Sequence, residues 1–169
     1  IKKDPYERDP RGTAKKAEGY LKKTNIGDKA FFGPEPEFFV FDDVRYKNDM
    51  NETGFTIDST EGPYNTGKKY DNGNMGHRPG VKGGYFPVPP VDSAQDMRSE
   101  DLKALKDMGV RVEKHHHEVA PSQHELGMYF GTLSDMADNV QLYKYAVQMV
   151  TNSFGKTATF MPKPVKGDN

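Results

Sequence analysis

The sequence predicts an α+β fold with antiparallel strands, from three observations. Residues 110–119 and 124–130 read as two strands joined by the turn Ala120-Pro121-Ser122-Gln123, which makes an antiparallel hairpin. Residues 30–41 form an aromatic-rich run of strand composition. Residues 133–154 carry Met136, Val140, Tyr143, Val147, Val150 and Phe154 at alternating steps of four and three, the spacing of a helix with one buried face.

The remaining elements follow in chain order. Residues 10–21 predict a short helix: Asp9 suits its cap, Pro10 its first position, and Ala14, Ala17 and Leu21 a narrow apolar stripe. In the strand at 30–41, period two puts Glu35, Glu37, Phe39 and Phe41 on one face and Phe38 and Val40 on the other. Pro34 and Pro36 donate no backbone hydrogen bond, so that end belongs at an edge, a bulge or a site mouth. Residues 45–84 are polar and dense in Gly, Asn, Asp and Lys. They predict a long loop, with Phe55-Thr56-Ile57 as one short candidate strand. Residues 83–90 are extended and Pro-rich. Asp92 or Ser93 then caps a helix that runs to about residue 108 and ends at Gly109. Thr132 with Asp135 resembles a capping box for the long helix, Gly155 stops it, and residues 157–161 suit a final strand.

Composition excludes several classes of function. A net charge of -1 gives no field for nucleic acid or an anionic membrane, and no apolar run is long enough to span a bilayer. With no Cys there are no disulfides, thiolate metal sites or Cys nucleophile, and a cytosolic location fits. The 169 residues suffice for one domain. A hydrophobic fraction of 34% and mean hydropathy of -0.89 are low for a self-sufficient one, as expected if part of the surface is covered by neighbours. Neither Ile1-Lys2-Lys3-Asp4 nor Lys166-Gly167-Asp168-Asn169 has the character of a natural terminus, so the chain is expected to be a piece of a longer protein.

Four carboxylates stand in two matched settings: Glu35 and Glu37 in Gly33-Pro34-Glu35-Pro36-Glu37-Phe38-Phe39, and Glu118 and Glu125 across the hairpin. If Val119 pairs with His124, Glu118 lies opposite Glu125, and like charges so placed repel unless a cation sits between them. A hard divalent ion is the simplest such cation. The alternative is a solvated strand end and a solvated hairpin face. The aromatic setting of the first pair and the lack of a Lys on the hairpin face favour ligands. Of His115, His116 and His117, alternation lets at most two meet one metal, which argues against a zinc hydrolase. His116 shares the face of Glu118 and is a candidate to orient the ligands from behind. Gly155-Lys156-Thr157 follows a helix and lacks the earlier glycine of a phosphate loop, so helix capping plus a surface Lys explains it.

Four segments in register give the chain a resemblance. Gly33-Pro34-Glu35-Pro36-Glu37-Phe38-Phe39, residues 82–92, His115-His116-His117-Glu118-Val119-Ala120 and residues 154–164 together resemble bacterial type I glutamine synthetase over nearly the whole chain. The resemblance implies a curved antiparallel sheet with flanking helices, residues 1–169 forming the N-terminal part of the catalytic domain. It implies ATP-dependent ligation of ammonia to glutamate through γ-glutamyl phosphate, with two Mg2+ or Mn2+ ions per site, in a cytoplasmic dodecamer. By the same likeness, Glu37, Glu118 and Glu125 match ligands of one metal and Glu35 a ligand of the second. Glu113 matches an ATP contact, Tyr85 and Glu118 the ammonium pocket, and Asn169 a glutamate-binding position. On a regular strand Glu113 faces away from Glu118, so either the strand bulges near Lys114 or ATP approaches from the other side. The family's remaining metal ligands and phosphate-binding arginines have no counterpart here, so the chain alone is expected to make no glutamine. Two other functions stay open: a glutamate–amine ligase of the polyamine type, and a non-catalytic structural or regulatory homologue.

Overall fold

The computed structural model describes residues 4–65 and 76–168. Among them the elements run α1 (Pro10–Lys23), β1 (Phe31–Phe32), β2 (Glu37–Phe41), β3 (Asp43–Asp49), β4 (Glu52–Asp58), α2 (Gln95–Asp107), β5 (Val112–His117), β6 (Gln123–Met128), β7 (Gly131–Thr132), α3 (Leu133–Ser153) and β8 (Thr157–Thr159). The central sheet has the order β5-β6-β2-β8, and every pairing in it is antiparallel. Two small sheets, β1-β7 and β3-β4, complete the α+β architecture. No helix among the described residues is long and apolar enough to cross a membrane.

The alternation in β2 separates two environments. Phe38 and Val40 enter the main core with Leu126 and Met128 of β6, Met97 and Leu105 of α2, and Met136, Tyr143 and Val147 of α3. Phe39 and Phe41 point the other way, into a smaller cluster with Ala120. The helices therefore cover one face of the sheet, and Glu37, in step with Phe39, belongs to the opposite face. Burying a side chain such as Phe38 contributes about 1.5–3 kcal/mol, so this assignment of faces is strongly enforced. Tyr143 adds a polar tie from the helix side: its hydroxyl donates to the Pro36 carbonyl (2.7 Å) and accepts from the Leu126 N–H (3.1 Å). One side chain thereby fixes the entry of β2 against the middle of β6.

Several expectations are corrected. The run at 30–41 is two strands in different sheets, because Pro34-Glu35-Pro36 breaks the ladder: β1 pairs with β7, and β2 joins the central sheet. Residues 45–84 are not simply a loop, since β3 and β4 form a seven-pair hairpin, Asp43↔Asp58 to Asp49↔Glu52. Most of its side chains are exposed, so it has no buried face for an apolar alternation to mark. Neither Asp92 nor Ser93 is the cap residue of α2, which is Ala94. The Asp92 carboxylate instead pairs with the Arg98 guanidinium, and the Ser93 hydroxyl donates to Glu61 (2.7 Å). At α3, the Thr132 hydroxyl donates to Asp135 (2.7 Å) rather than capping the backbone. Glu18 of α1 takes that role, accepting from Ser134 N–H (3.1 Å) and its hydroxyl (2.8 Å). Lys156 is partly exposed, as expected of a surface Lys, but it also pairs with Asp42. Gly109 (φ 85°) and Gly155 (φ 69°) end α2 and α3 in the left-handed region, as expected.

Candidate metal centre

The acids meet on the face of the sheet away from the helices. Across adjacent strands, Glu37 of β2 lies opposite Glu125 of β6, and Glu125 lies opposite His116 of β5. Glu118 joins the row from beyond the end of β5. Its expected place opposite Glu125 is not observed, since His117 rather than Val119 pairs with His124. The Val119 carbonyl is instead taken by Gly84 N–H (3.0 Å), and the turn closes through Gln123 N–H to Ala120 (3.1 Å), with Ser122 at φ 67°. The Gln123 side chain accepts from Ala120 N–H (3.1 Å) and donates to the Glu37 carboxylate. That wide, tied turn lets Glu118 reach back over the hairpin.

His116 sits between two of the acids. Its Nδ1 lies 3.4 Å from Glu118 Oε1 and its Nε2 3.7 Å from Glu125 Oε2. One ligand atom from each of His116, Glu118 and Glu125 falls within 4.8 Å of the others, and all three residues are buried. Glu35 and Glu37 are exposed and form the open rim. The electrostatics record the crowding. Burial, then Glu118, Glu35 and Glu37, push the Glu125 carboxyl up to about 7. Burial and then Glu118 also raise Glu37, against the opposing pull of the Gln123 amide. Clustered oxygen donors that resist ionising together fit a hard divalent cation, whose charge favours the ionised form of each acid. The His116 nitrogens face the acids, so His116 is a candidate donor as well as a candidate to orient them.

The aromatic residues of the Pro-rich segment lie over this row. The Phe86 ring stacks on His116 at 4.3 Å, and Tyr85 meets His116 edge-on at 5.7 Å with its own ring largely exposed. Glu113 is the extra residue of a bulge, since Val112 pairs with Met128 and Lys114 with Gly127. Of the two alternatives for this strand, the bulge near Lys114 is present, and the Glu113 side chain is exposed. Asn169 lies outside the described residues. The three histidines diverge as alternation requires: His115 contacts Arg98 and Ser99, His116 the acids, and His117 Glu61.

Sequence reasoning missed Glu61, which is buried and hydrogen-bonded to His117 Nε2 (2.7 Å), Ser122 N–H (2.7 Å) and Ser93. Burial pushes its carboxyl up, but His117, then His124 and the Ser93 hydroxyl, hold it down at about 2. It stands in Asp58-Ser59-Thr60-Glu61-Gly62, where no periodicity or motif sets it apart from the polar stretch around it. Also missed was the buried cluster of Arg98 with Asp92 and His124.

Comparison with known proteins gives a consistent picture. A family model described as "Glutamine synthetase, catalytic domain" matches residues 7–169. The chain is 66% identical over 166 residues to a glutamine synthetase of Rhizobium meliloti (strain 1021), covering 98% of this chain and 35% of that relative. Against the glutamine synthetase of Salmonella typhimurium the identity is 58% over 165 residues, covering 97% and 35%. A solved structure of Plasmodium falciparum glutamine synthetase superposes with a TM-score of 0.86 at 33% identity, covering 98% of this chain and 33% of that one. The chain thus spans about a third of the length of the relatives it matches, 35% in the bacterial cases.

Proposed function

Because this chain belongs to the glutamine synthetase catalytic-domain family, we propose that it is the N-terminal part of that domain. The full-length protein then joins ammonia to glutamate, driven by ATP, through γ-glutamyl phosphate. The observation that carries this reading is the row Glu37–Glu125–His116 with Glu118 folded over it. Glu37, Glu118 and Glu125 hold one Mg2+ or Mn2+, and Glu35 contributes to a second. When bound, the ions neutralise phosphate oxygens and keep the reacting groups in line.

The chain's own residues have separate tasks. Glu118 is buried beside Tyr85 and Phe86 through His116, a setting in which a carboxylate attracts a small cation and can take a proton from it. His116 keeps Glu118 and Glu125 turned toward each other, and Gln123 does the same for Glu37. Glu113, displaced by the bulge onto the exposed edge, is the candidate ATP contact, and Asn169 the candidate glutamate contact. The full protein is read as a cytoplasmic homo-oligomer that completes the site with residues from outside this chain, and this chain alone is inactive.

Steady-state kinetics on the full-length protein test the reading. Ammonia is expected to outperform small amines, and Glu125→Ala is expected to abolish Mg2+- or Mn2+-supported turnover. Faster turnover with an amine would make the protein an amine ligase. Unchanged activity in Glu125→Ala would leave the acid row without a catalytic role.

A further inference from the structure

Beside the acid row lies a second buried assembly with no part in the chemistry above. The carboxylate of Glu61 accepts from His117 Nε2 (2.7 Å), Ser122 N–H (2.7 Å) and the Ser93 hydroxyl (2.7 Å). Across the ring, His117 Nδ1 lies 2.8 Å from the Gly84 carbonyl and 2.6 Å from the Glu118 carbonyl. All three groups facing the ring are acceptors, so both ring nitrogens donate. His117 is thus a cross-link from Glu61 to two backbone segments: the one carrying Glu118, and the one leading into Tyr85.

Those segments are also laced together directly. Gly84 N–H donates to Val119 (3.0 Å) and Phe86 N–H to His117 (3.3 Å), so residues 84–86 lie along residues 117–119. Gly84 permits the approach. A Cβ there would stand 2.5 Å from the Glu118 carbonyl oxygen and 2.8 Å from His117 Cε1. The first is a backbone atom already held by His117, so it cannot move aside cheaply.

We propose that Glu61 is a positioning residue for the amine half of the reaction: acting through His117, it fixes the spacing between Tyr85 and Glu118. The proposal rests on the reading of Tyr85 and Glu118 as the ammonium pocket. Glu61 touches neither side chain. Its influence passes through the His117 ring to the Glu118 carbonyl and to the peptide before Tyr85. Of the three acids read as ligands of one metal, only Glu118 is tied to this ring; Glu37 and Glu125 lie on other strands and would still hold the ion when Glu61 is lost. The effect of losing Glu61 should therefore fall on ammonia rather than evenly on every substrate.

The test is steady-state kinetics on the full-length enzyme with each substrate varied in turn. Glu61→Ala is expected to raise the KM for ammonium about tenfold, with the KM for glutamate and for ATP changed by less than about twofold. Glu61→Gln, which can still accept from His117 and Ser122, is expected to recover most of the loss. Gly84→Ala disturbs the same clamp from the loop side with Glu61 intact, and should give the same ammonium-selective rise even if Glu61→Ala does not fold. A purely structural role predicts lower thermal stability with all three KM values unchanged in the folded fraction. That result, or a parallel rise in all three, overturns the proposal. A wild-type enzyme that turns over no ammonia overturns the underlying reading and the proposal with it.

Discussion

Replacing Glu125 with Gln should stabilise the metal-free protein and weaken the metal-loaded one. In the folded chain the Glu125 carboxyl rises from 4.5 to about 7, which at about 1.4 kcal/mol per tenfold corresponds to roughly 3 kcal/mol of disfavoured ionisation. The sign follows from linkage. The folded state holds this proton more tightly than the unfolded chain, so stability is greatest below about pH 4.5, falls as pH rises to about 7, and is flat above. At pH 8 in chelator, Glu125→Gln removes that penalty and should gain about 2 kcal/mol, after allowing for imperfect amide hydrogen bonding. In saturating Mn2+ the order should invert, because a ligand is gone and ligand-linked stabilisation with it. Thermal unfolding of full-length wild type and variant, in chelator and in Mn2+, reads both effects. A variant less stable than wild type in chelator, or one that keeps its Mn2+-dependent gain, refutes the crowded-acid reasoning.

Other outcomes follow from the supporting structure. Asp101 is fully buried and neither of its oxygens has a hydrogen-bond partner among the described residues, and burial pushes its carboxyl up to about 7 against the pull of Arg98. Its folded value lies above the unfolded one, so stability should fall by up to roughly 4 kcal/mol between about pH 4 and 7, and Asp101→Asn should flatten that slope in urea titrations at pH 5 and 8. Tyr143→Phe leaves the Leu126 N–H and the Pro36 carbonyl without their shared hydroxyl. It should cost about 1–3 kcal/mol by denaturant midpoint. Arg98→Met strands the buried Asp92 carboxylate. A loss of about 3–5 kcal/mol is expected in the same assay.

What could be read in advance was whatever carried a period or a special residue. The stripe on α3 and the two faces of β2 follow from side-chain spacing, because each separates a buried face from another environment. The glycine stops at Gly109 and Gly155 follow from backbone sterics. Of the β3–β4 hairpin only the run Phe55-Thr56-Ile57 within β4 was legible, for the converse reason: with most side chains exposed, its strands need no apolar alternation. The hairpin register lies two residues from the assumed pairing, since a tight turn was assumed where Glu118 to Ser122 make a wider one, tied by Gln123 and Gly84. The acid row survived that slip, because His116, Glu118 and Glu125 share a face in either register. Glu61 was out of reach, since its role depends on a contact with His117, 56 positions away, that no local pattern encodes.

The central claim is that Glu37, Glu118 and Glu125 converge to hold a divalent cation. Crystals of the full-length protein grown with Mn2+ and measured at the manganese absorption edge test it most directly. The account predicts an anomalous peak bonded to carboxylate oxygens of all three residues. Anomalous density elsewhere, with these side chains held apart by solvent or paired to a Lys or Arg, would contradict it.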